Sequence, residues 1–278
     1  TLACWPIFEE GKETAIAFLP FFHIYGQVVV MLNSLFQGAT LVLFTTPDID
    51  EILSAMERYQ ASGFYGVPTL FEYLKEYDKT DRVNWKRLKL IACGADTLHK
   101  STIEEWERRT HSKILEGYGM TETGPLSTQT SPDDPIDLRV GTVGKVLPHT
   151  EVKIVDEKDE IVALNEPGEL CVRGYNVMLG YWGDGSPGRW MHTGDVATMD
   201  EEGYVRIVGR SKDMLIRGGE NIYPREIEEF LYTNPKIDQV EVVGVPDEKF
   251  GEEIAACIRR ISRPVPRPLR PEIGRAVQ

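Results

Sequence analysis

Apolar and polar positions follow two different periods along this chain, and the change of period divides it. In the first half, short apolar runs alternate with helically spaced ones. Thr14–Leu19 predicts a strand, and the apolar run His23–Leu35 predicts a buried helix stopped by Gly38. Ala39–Phe44 predicts a second strand, and Thr46-Pro47-Asp48 a turn that caps the next helix. Ile49, Ile52, Leu53 and Met56 lie at helical spacing, as do Leu70, Phe71 and Leu74 after Pro68. Gly63–Val67 and Leu88–Cys93 predict strands, residues 98–109 a helix, and Ile114-Leu115 a strand running into a glycine loop at Gly117. Strand and helix alternating in this way predict an α/β fold, a doubly wound parallel sheet with helices on its faces. Ligands of such sheets bind beyond the carboxyl ends of the strands, which is where Gly94-Ala95-Asp96 and Gly117-Tyr118-Gly119 fall.

After Ser131-Pro132-Asp133-Asp134-Pro135 the period shortens to that of strands. Glu151–Val155, Ile161–Ala163, Glu169–Arg173 and Val196–Val208 predict short β segments, the last folded about Asp200-Glu201-Glu202-Gly203, with no helical spacing between them. This predicts a β-barrel subdomain or small twisted sheet. A third pattern starts near Lys212. A strand at Met214-Leu215-Ile216 leads to a Gly218-Gly219 hairpin and a helix opened by Pro224, with Ile227, Phe230 and Leu231 on one face; strands at Gln239–Val245 and Ile254–Ile258 come next, giving a partial α+β domain. Arg259–Gln278 has six arginines, four prolines and no periodicity, the composition of a tail outside any core.

The net charge of −13 argues against nonspecific attraction to nucleic acid or an anionic membrane. Cys4, Cys93, Cys171 and Cys257 are scattered, with no close pair, as expected of reduced thiols and not of a disulfide or zinc framework. No apolar run reaches the length of a membrane span, and Glu9-Glu10 interrupt any signal-like start, so no transmembrane segment and a cytoplasmic location are expected.

Several polar groups sit where strands end. Asp195 enters the Val196–Val208 hairpin and Arg210 leaves it: the pair can grip a ribose and phosphate, or close the hairpin as an ion pair. Tyr118 in a glycine turn offers a ring to a base; Thr121 offers a hydroxyl to a phosphate; Glu122 offers a hard oxygen to Mg²⁺. The same Thr-Glu pair could simply cap a turn. His23, among Phe21, Phe22 and Tyr25, suits either a core position or an apolar pocket.

Taken in order, these motifs resemble those of the adenylate-forming enzymes, the acyl-CoA synthetase and firefly-luciferase superfamily. The matching stretches are Leu19-Pro20-Phe21-Phe22-His23-Ile24-Tyr25-Gly26, Gly117-Tyr118-Gly119-Met120-Thr121-Glu122, Gly168-Glu169-Leu170, Thr193-Gly194-Asp195 and Gly209-Arg210, within a resemblance covering nearly all of residues 14 to 258. It implies a two-step reaction. A carboxylate attacks the α-phosphate of ATP, releasing pyrophosphate and leaving acyl-AMP; the thiol of CoA then takes the acyl group and releases AMP. It implies ATP/AMP, Mg²⁺ and CoA as cofactors and a fatty or other apolar carboxylic acid as substrate, the aryl acid and peptide-synthetase-type domains being the alternatives within the class and a catalytically incomplete AMP- or acyl-binding module the alternative outside it.

The resemblance also implies roles for single residues. Tyr118 would stack on adenine, with Gly94, Ala95 and Asp96 along its edge. Thr121 would meet the AMP phosphate and Glu122 the metal, these two being the catalytic pair. Asp195 and Arg210 would hold the ribose, His23 and Gly119 would line the acyl pocket, Gly218 and Gly219 would serve the thiol step, and Lys212 would be the hinge. In these terms residues 1–134 are the rear of an α/β adenylation domain, 135–211 the β-barrel subdomain, 212–258 part of a mobile C-terminal domain, and 259–278 a divergent tail. The family's phosphate loop and its adenylating lysine have no counterpart in residues 1–18 or 259–278, so a fragment incomplete for full catalysis is expected.

Overall fold

The computed structural model describes residues 8–96, 98–183, 188–218, 220–234, 236–247 and 249–260. Gly219 and most of the Arg/Pro-rich tail lie outside the described residues. The chain divides into two compact units, Thr1–Lys212 and Asp213–Gln278.

The larger unit is built on a seven-stranded sheet. Its strands are β1 (Thr14–Ala17), β2 (Thr40–Leu43), β3 (Gly63–Gly66), β4 (Leu90–Cys93), β5 (Leu115–Tyr118), β6 (Thr128–Gln129) and β7 (Lys145–Val146), in the order β2-β1-β3-β4-β5-β6-β7. The first five in that order run parallel; β6 and β7 add antiparallel pairs. The apolar runs of the inner strands β1, β3 and β4 are buried on both faces, as a parallel sheet requires, while the edge strand β2 is partly exposed. Ile16, Phe64, Ile91 and Cys93 point into one core, under α2 (Ile49–Arg58), α3 (Pro68–Glu76) and α4 (Lys100–Thr110). Ala15, Ala17, Tyr65, Leu90, Ala92 and Leu115 point to the other, against Val29 and Val30. The sheet is therefore doubly wound. Helix α2 starts where the sequence places its cap: the Asp48 carboxylate accepts the Glu51 N–H at 3.0 Å.

The apolar run after His23 is helical in two windings, a π-helix over Tyr25–Leu32 and then α1 (Asn33–Phe36). One short helix carries no helical spacing in the sequence: α5 (Ile136–Arg139), whose Arg139 is buried and paired with Glu107 of α4.

The β-rich region is a four-stranded antiparallel sheet, β8 (Thr150–Val155), β9 (Gly168–Gly174), β10 (Met191–Met199) and β11 (Val205–Arg210), in the order β11-β10-β9-β8. Among the described residues its outer strands do not pair with each other, and every pairing within it is antiparallel. The strand expected over Ile161–Ala163 shrinks to one bridge, Val155 with Ile161, because Asp159 and Asn165 take left-handed backbone on either side. The sheet buries Ile154, Leu170, Val172, Ala197 and Val205, with Tyr118 packed against them. The two sheets are thereby joined through the residue that ends β5.

The smaller unit is a sheet of β12 (Leu215–Arg217), β13 (Glu220–Ile222), β14 (Ile237–Asp247) and β15 (Gly251–Arg260), ordered β13-β12-β15-β14, with α6 (Pro224–Tyr232). Ile227 and Leu231 pack on Leu215, Val240 and Val242. Phe230, expected on the same face, is 73% exposed. No described helix is long and apolar enough to cross a membrane.

Candidate functional site

The site grows from the end of β5. Two glycines there admit a close backbone crossing. A Cβ on Gly119 would lie 1.7 Å from the Pro125 carbonyl oxygen, and one on Gly117 would lie 2.7 Å from Leu126 Cδ1. The chain beyond Tyr118 thus turns back tightly, through a 3-10 turn at Thr121–Thr123, and the Ser127 N–H donates to the Tyr118 carbonyl at 2.8 Å. Gly119 is small because Pro125 and Leu126 occupy the space a side chain would need.

The Tyr118 ring lies over the second sheet, and its hydroxyl donates to Asp195 Oδ2 at 2.5 Å. Burial, and next the Asp195 carboxylate, push the Tyr118 phenol well above its usual range, so it remains a donor. On the other side Arg210 Nε stands 3.3 Å from Asp195 Oδ1, with Asp195 and Arg210 paired across β10 and β11. The hairpin-closing ion pair is therefore formed. It does not exhaust the carboxylate, which can accept at about four lone-pair positions. The Asp195 side chain is 13% exposed and Arg210 60% exposed, so a ligand would meet a largely desolvated acid beside an accessible base.

Asp195 sits on an interrupted strand. Pairing between β9 and β10 shifts between His192 and Val196. Within that gap the Gly194 N–H donates to Glu169 Oε1 at 3.0 Å, and the Thr193 hydroxyl donates to the Leu170 carbonyl at 2.7 Å. Glu169 Oε2 lies 2.8 Å from His192 Nδ1.

The remaining expected residues lie around this centre and beyond it. Thr121 is exposed at the start of the 3-10 turn. Glu122 is half-buried and accepts a hydrogen bond from the Tyr181 hydroxyl, while the Glu122 carbonyl accepts the Met178 N–H at 2.8 Å. Gly94, Ala95 and Asp96 leave β4, with Ala95 in left-handed backbone. A Cβ on Gly94 would touch the Tyr25 ring at 3.4 Å, and the Tyr25 hydroxyl donates to the Ala92 carbonyl, so the acyl-site motif packs on the β4 end. His23 itself is exposed and accepts the Tyr25 N–H on Nδ1 at 3.1 Å; it starts the helical segment and is not a core residue. Lys212 lies in the 3-10 turn Ser211–Asp213, where the chain passes between units. In the smaller unit Gly218 turns with positive φ and its N–H donates to the Phe250 carbonyl.

The structure thus joins Tyr118, Asp195 and Arg210 directly. It also brings in Glu169, Thr193 and Tyr181, to which the sequence alone assigned no role. Glu169 and Thr193 were visible as members of two motifs; that those motifs touch was not. For Tyr181 the only signal was its place in an aromatic-rich stretch with Tyr175 and Trp182.

Comparison with known proteins identifies the family. The sequence matches the AMP-binding enzyme family over residues 1–182, and the chain belongs to that family. It is 41% identical over 256 residues to the mitochondrial medium-chain acyl-CoA ligase ACSF2 of Homo sapiens, covering 86% of this chain and 41% of that protein. It is 39% identical over 256 residues to a long-chain-fatty-acid–CoA ligase of Escherichia coli O157:H7, covering 90% of this chain and 45% of that one. The chain therefore spans less than half the length of these relatives. Its fold superposes on the crystal structure of ATP-bound MatB from Rhodopseudomonas palustris with a TM-score of 0.84 at 32% identity, over 94% of this chain and 52% of MatB.

Proposed function

We propose that this chain carries the adenylate- and acyl-binding part of an AMP-forming acyl-CoA ligase for a fatty or other apolar carboxylic acid. The observation that carries the reading is the Asp195 carboxylate, held between the Tyr118 hydroxyl and Arg210 beyond the end of a parallel strand. Vicinal ribose hydroxyls suit its unused acceptor positions, and Arg210 suits the adjoining sugar and phosphate oxygens. Tyr118 offers its ring to adenine, with Gly94, Ala95 and Asp96 along the base. Thr121 and Glu122 come next within the same turn, toward the phosphate. Glu122 fits a magnesium ion: it is a hard carboxylate, partly open, and one such group plus phosphate oxygens is a common magnesium environment. There the ion would neutralise phosphate charge. His23 and Gly119 would border the acyl chain, and Gly218, Gly219 and CoA belong to the thiol step. The cytoplasm is our proposed compartment, on the scattered thiols; the human relative is named as mitochondrial, also a reducing interior.

The test is calorimetry of the purified chain with AMP and with two non-hydrolysable acyl-AMP mimics, one carrying a decanoyl and one a benzoyl group. The expected order is decanoyl tightest, then benzoyl, then AMP alone. Tighter benzoyl binding would move the assignment to an aryl-acid ligase, and no binding of any of the three would end it.

A further inference from the structure

Asp195 projects from a stretch of β10 that keeps its pairing with β11 but loses its pairing with β9, so on that side something other than the ladder has to hold it. On the β9 side, pairing is lost between His192 and Val196, and Gly194 takes a left-handed φ of 74°. Interruptions of this kind re-aim a side chain, but they also leave backbone donors in need of acceptors. Here the Gly194 N–H finds Glu169 Oε1 at 3.0 Å. The Thr193 hydroxyl donates to the Leu170 carbonyl at 2.7 Å and accepts the Asp195 N–H at 3.1 Å. Glu169 is anchored in turn by His192, 2.8 Å from its second oxygen.

We propose that Glu169, with the Thr193 hydroxyl in support, is a positioning residue for ribose recognition: its carboxylate replaces the missing β9–β10 ladder and fixes the backbone that aims Asp195. This rests on the reading that Asp195 takes the ribose hydroxyls. Glu169 itself touches no ligand in this scheme. A charged acceptor makes the stronger bond to a backbone N–H, and an acid already aimed does not have to be ordered when the nucleotide arrives. Such a role also explains why two short motifs, 25 residues apart at Glu169 and Gly194, occur together.

The experiment compares AMP with 2′,3′-dideoxy-AMP, which lacks both hydroxyls, by calorimetry on the 278-residue chain. Wild type should prefer AMP. Glu169→Ala should weaken AMP about ten-fold, the scale of one lost hydrogen bond to a charged group, and leave the dideoxy nucleotide nearly unchanged. Glu169→Gln keeps a carbonyl oxygen for Gly194 and should retain the preference. A wild type that binds both nucleotides equally would overturn the ribose reading, and this proposal with it. A wild-type preference that survives in Glu169→Ala would overturn the positioning role alone. So would an equal fall in both affinities, which is what a merely structural residue gives, or a Glu169→Gln variant as impaired as the alanine. If circular dichroism shows Glu169→Ala unfolded, Thr193→Val opens the same stretch from its other bond. Loss of the preference there supports the proposal, and an unchanged preference overturns it.

Discussion

At the scale of single residues, the proposed nucleotide site turns on Asp195. Asp195 has its two oxygens engaged by Tyr118 and Arg210, and a ribose would add charge-assisted bonds to the same carboxylate. Asp195→Ala should therefore cost about 1–3 kcal/mol of AMP affinity; equal calorimetric affinities for the variant and wild type would remove Asp195 from the site. Gly119→Ala is expected to act on stability instead. Its added methyl would lie 1.7 Å from the Pro125 oxygen and 2.6 Å from its carbonyl carbon, both backbone atoms that cannot swing aside. We expect a loss of about 3 kcal/mol or more, at the upper end for overpacking, seen as a lowered urea midpoint; an unchanged midpoint would show that the crossing at Pro125 is not tight. The thiols offer a pH test. Burial, and next the Glu169 carboxylate, push Cys171 from an ordinary 9.0 up to about 11, whereas Cys257 is exposed. The thiolate is the reactive form, so at about pH 8 iodoacetamide should label Cys257 well before Cys171. Because the folded value is the raised one, the protonated Cys171 stabilises the fold below pH 9.0 and that contribution fades as the pH climbs toward about 11. Peptide mass spectrometry finding equal labelling of the two thiols would contradict this.

At the scale of elements, the clearest dependence runs between α4 and α5. Arg139 is 2% exposed, and its guanidinium meets Glu107 at 2.6 and 3.1 Å. It also donates to the Asp134 carbonyl at 3.1 Å. Removing the carboxylate would strand a buried cation, so Glu107→Ala should cost about 3–5 kcal/mol in denaturant unfolding. Arg139→Met placed on top of it should recover part of that loss, and failure to recover any would mean that packing, not charge, is what Glu107 supplies. The same pair shows what the sequence could and could not tell. The alternation of strands and helices in the first half was legible because burial on both faces of a parallel sheet demands apolar runs, and because Asp48 and Pro68 open their helices by local chemistry. Helix α5 was not legible, since four residues carry no period and it depends on a partner on α4, 32 residues away at Glu107. Ile161–Ala163 looked like a strand because three apolar or small residues fit either a strand or a loop; only Val162 packs inward, and Ile161 is exposed. In the site, Tyr118 and Arg210 were legible as residue types at strand ends, whereas Asp195, read as preceding a strand at Val196, lies inside β10. Their contact was not legible, as Tyr118 and Asp195 are 77 positions apart and belong to different sheets.

At the scale of the whole molecule, the division after Lys212 is the feature with mechanical content. The last strand of the larger unit, β11, ends at Arg210, three residues form a 3-10 turn, and β12 begins at Leu215. Lys212 is exposed in that turn, and its side chain holds no salt bridge or hydrogen bond among those of the described residues. Our proposal is that this is a hinge, as in the adenylate-forming enzymes the sequence resembles, where the next domain rotates between adenylation and thioester formation. Hinges are short element-terminal stretches whose φ and ψ change while their flanks stay rigid. Proline at 212 would hold φ near about −65° and remove a backbone donor, so it would permit one setting of such a hinge and hinder the other. If Lys212 is instead a solvated turn residue, proline would cost only a little stability and touch neither half-reaction. The variant to make is Lys212→Pro in a protein extended to its relatives' full length. Pyrophosphate exchange reports adenylation, and thioester formation from preformed acyl-AMP reports the thiol step. We expect the first to be kept and the second to fall by an order of magnitude or more, since gating residues change one step without touching the chemistry of the other. Rates that fall together, or do not fall at all, would place the joint elsewhere.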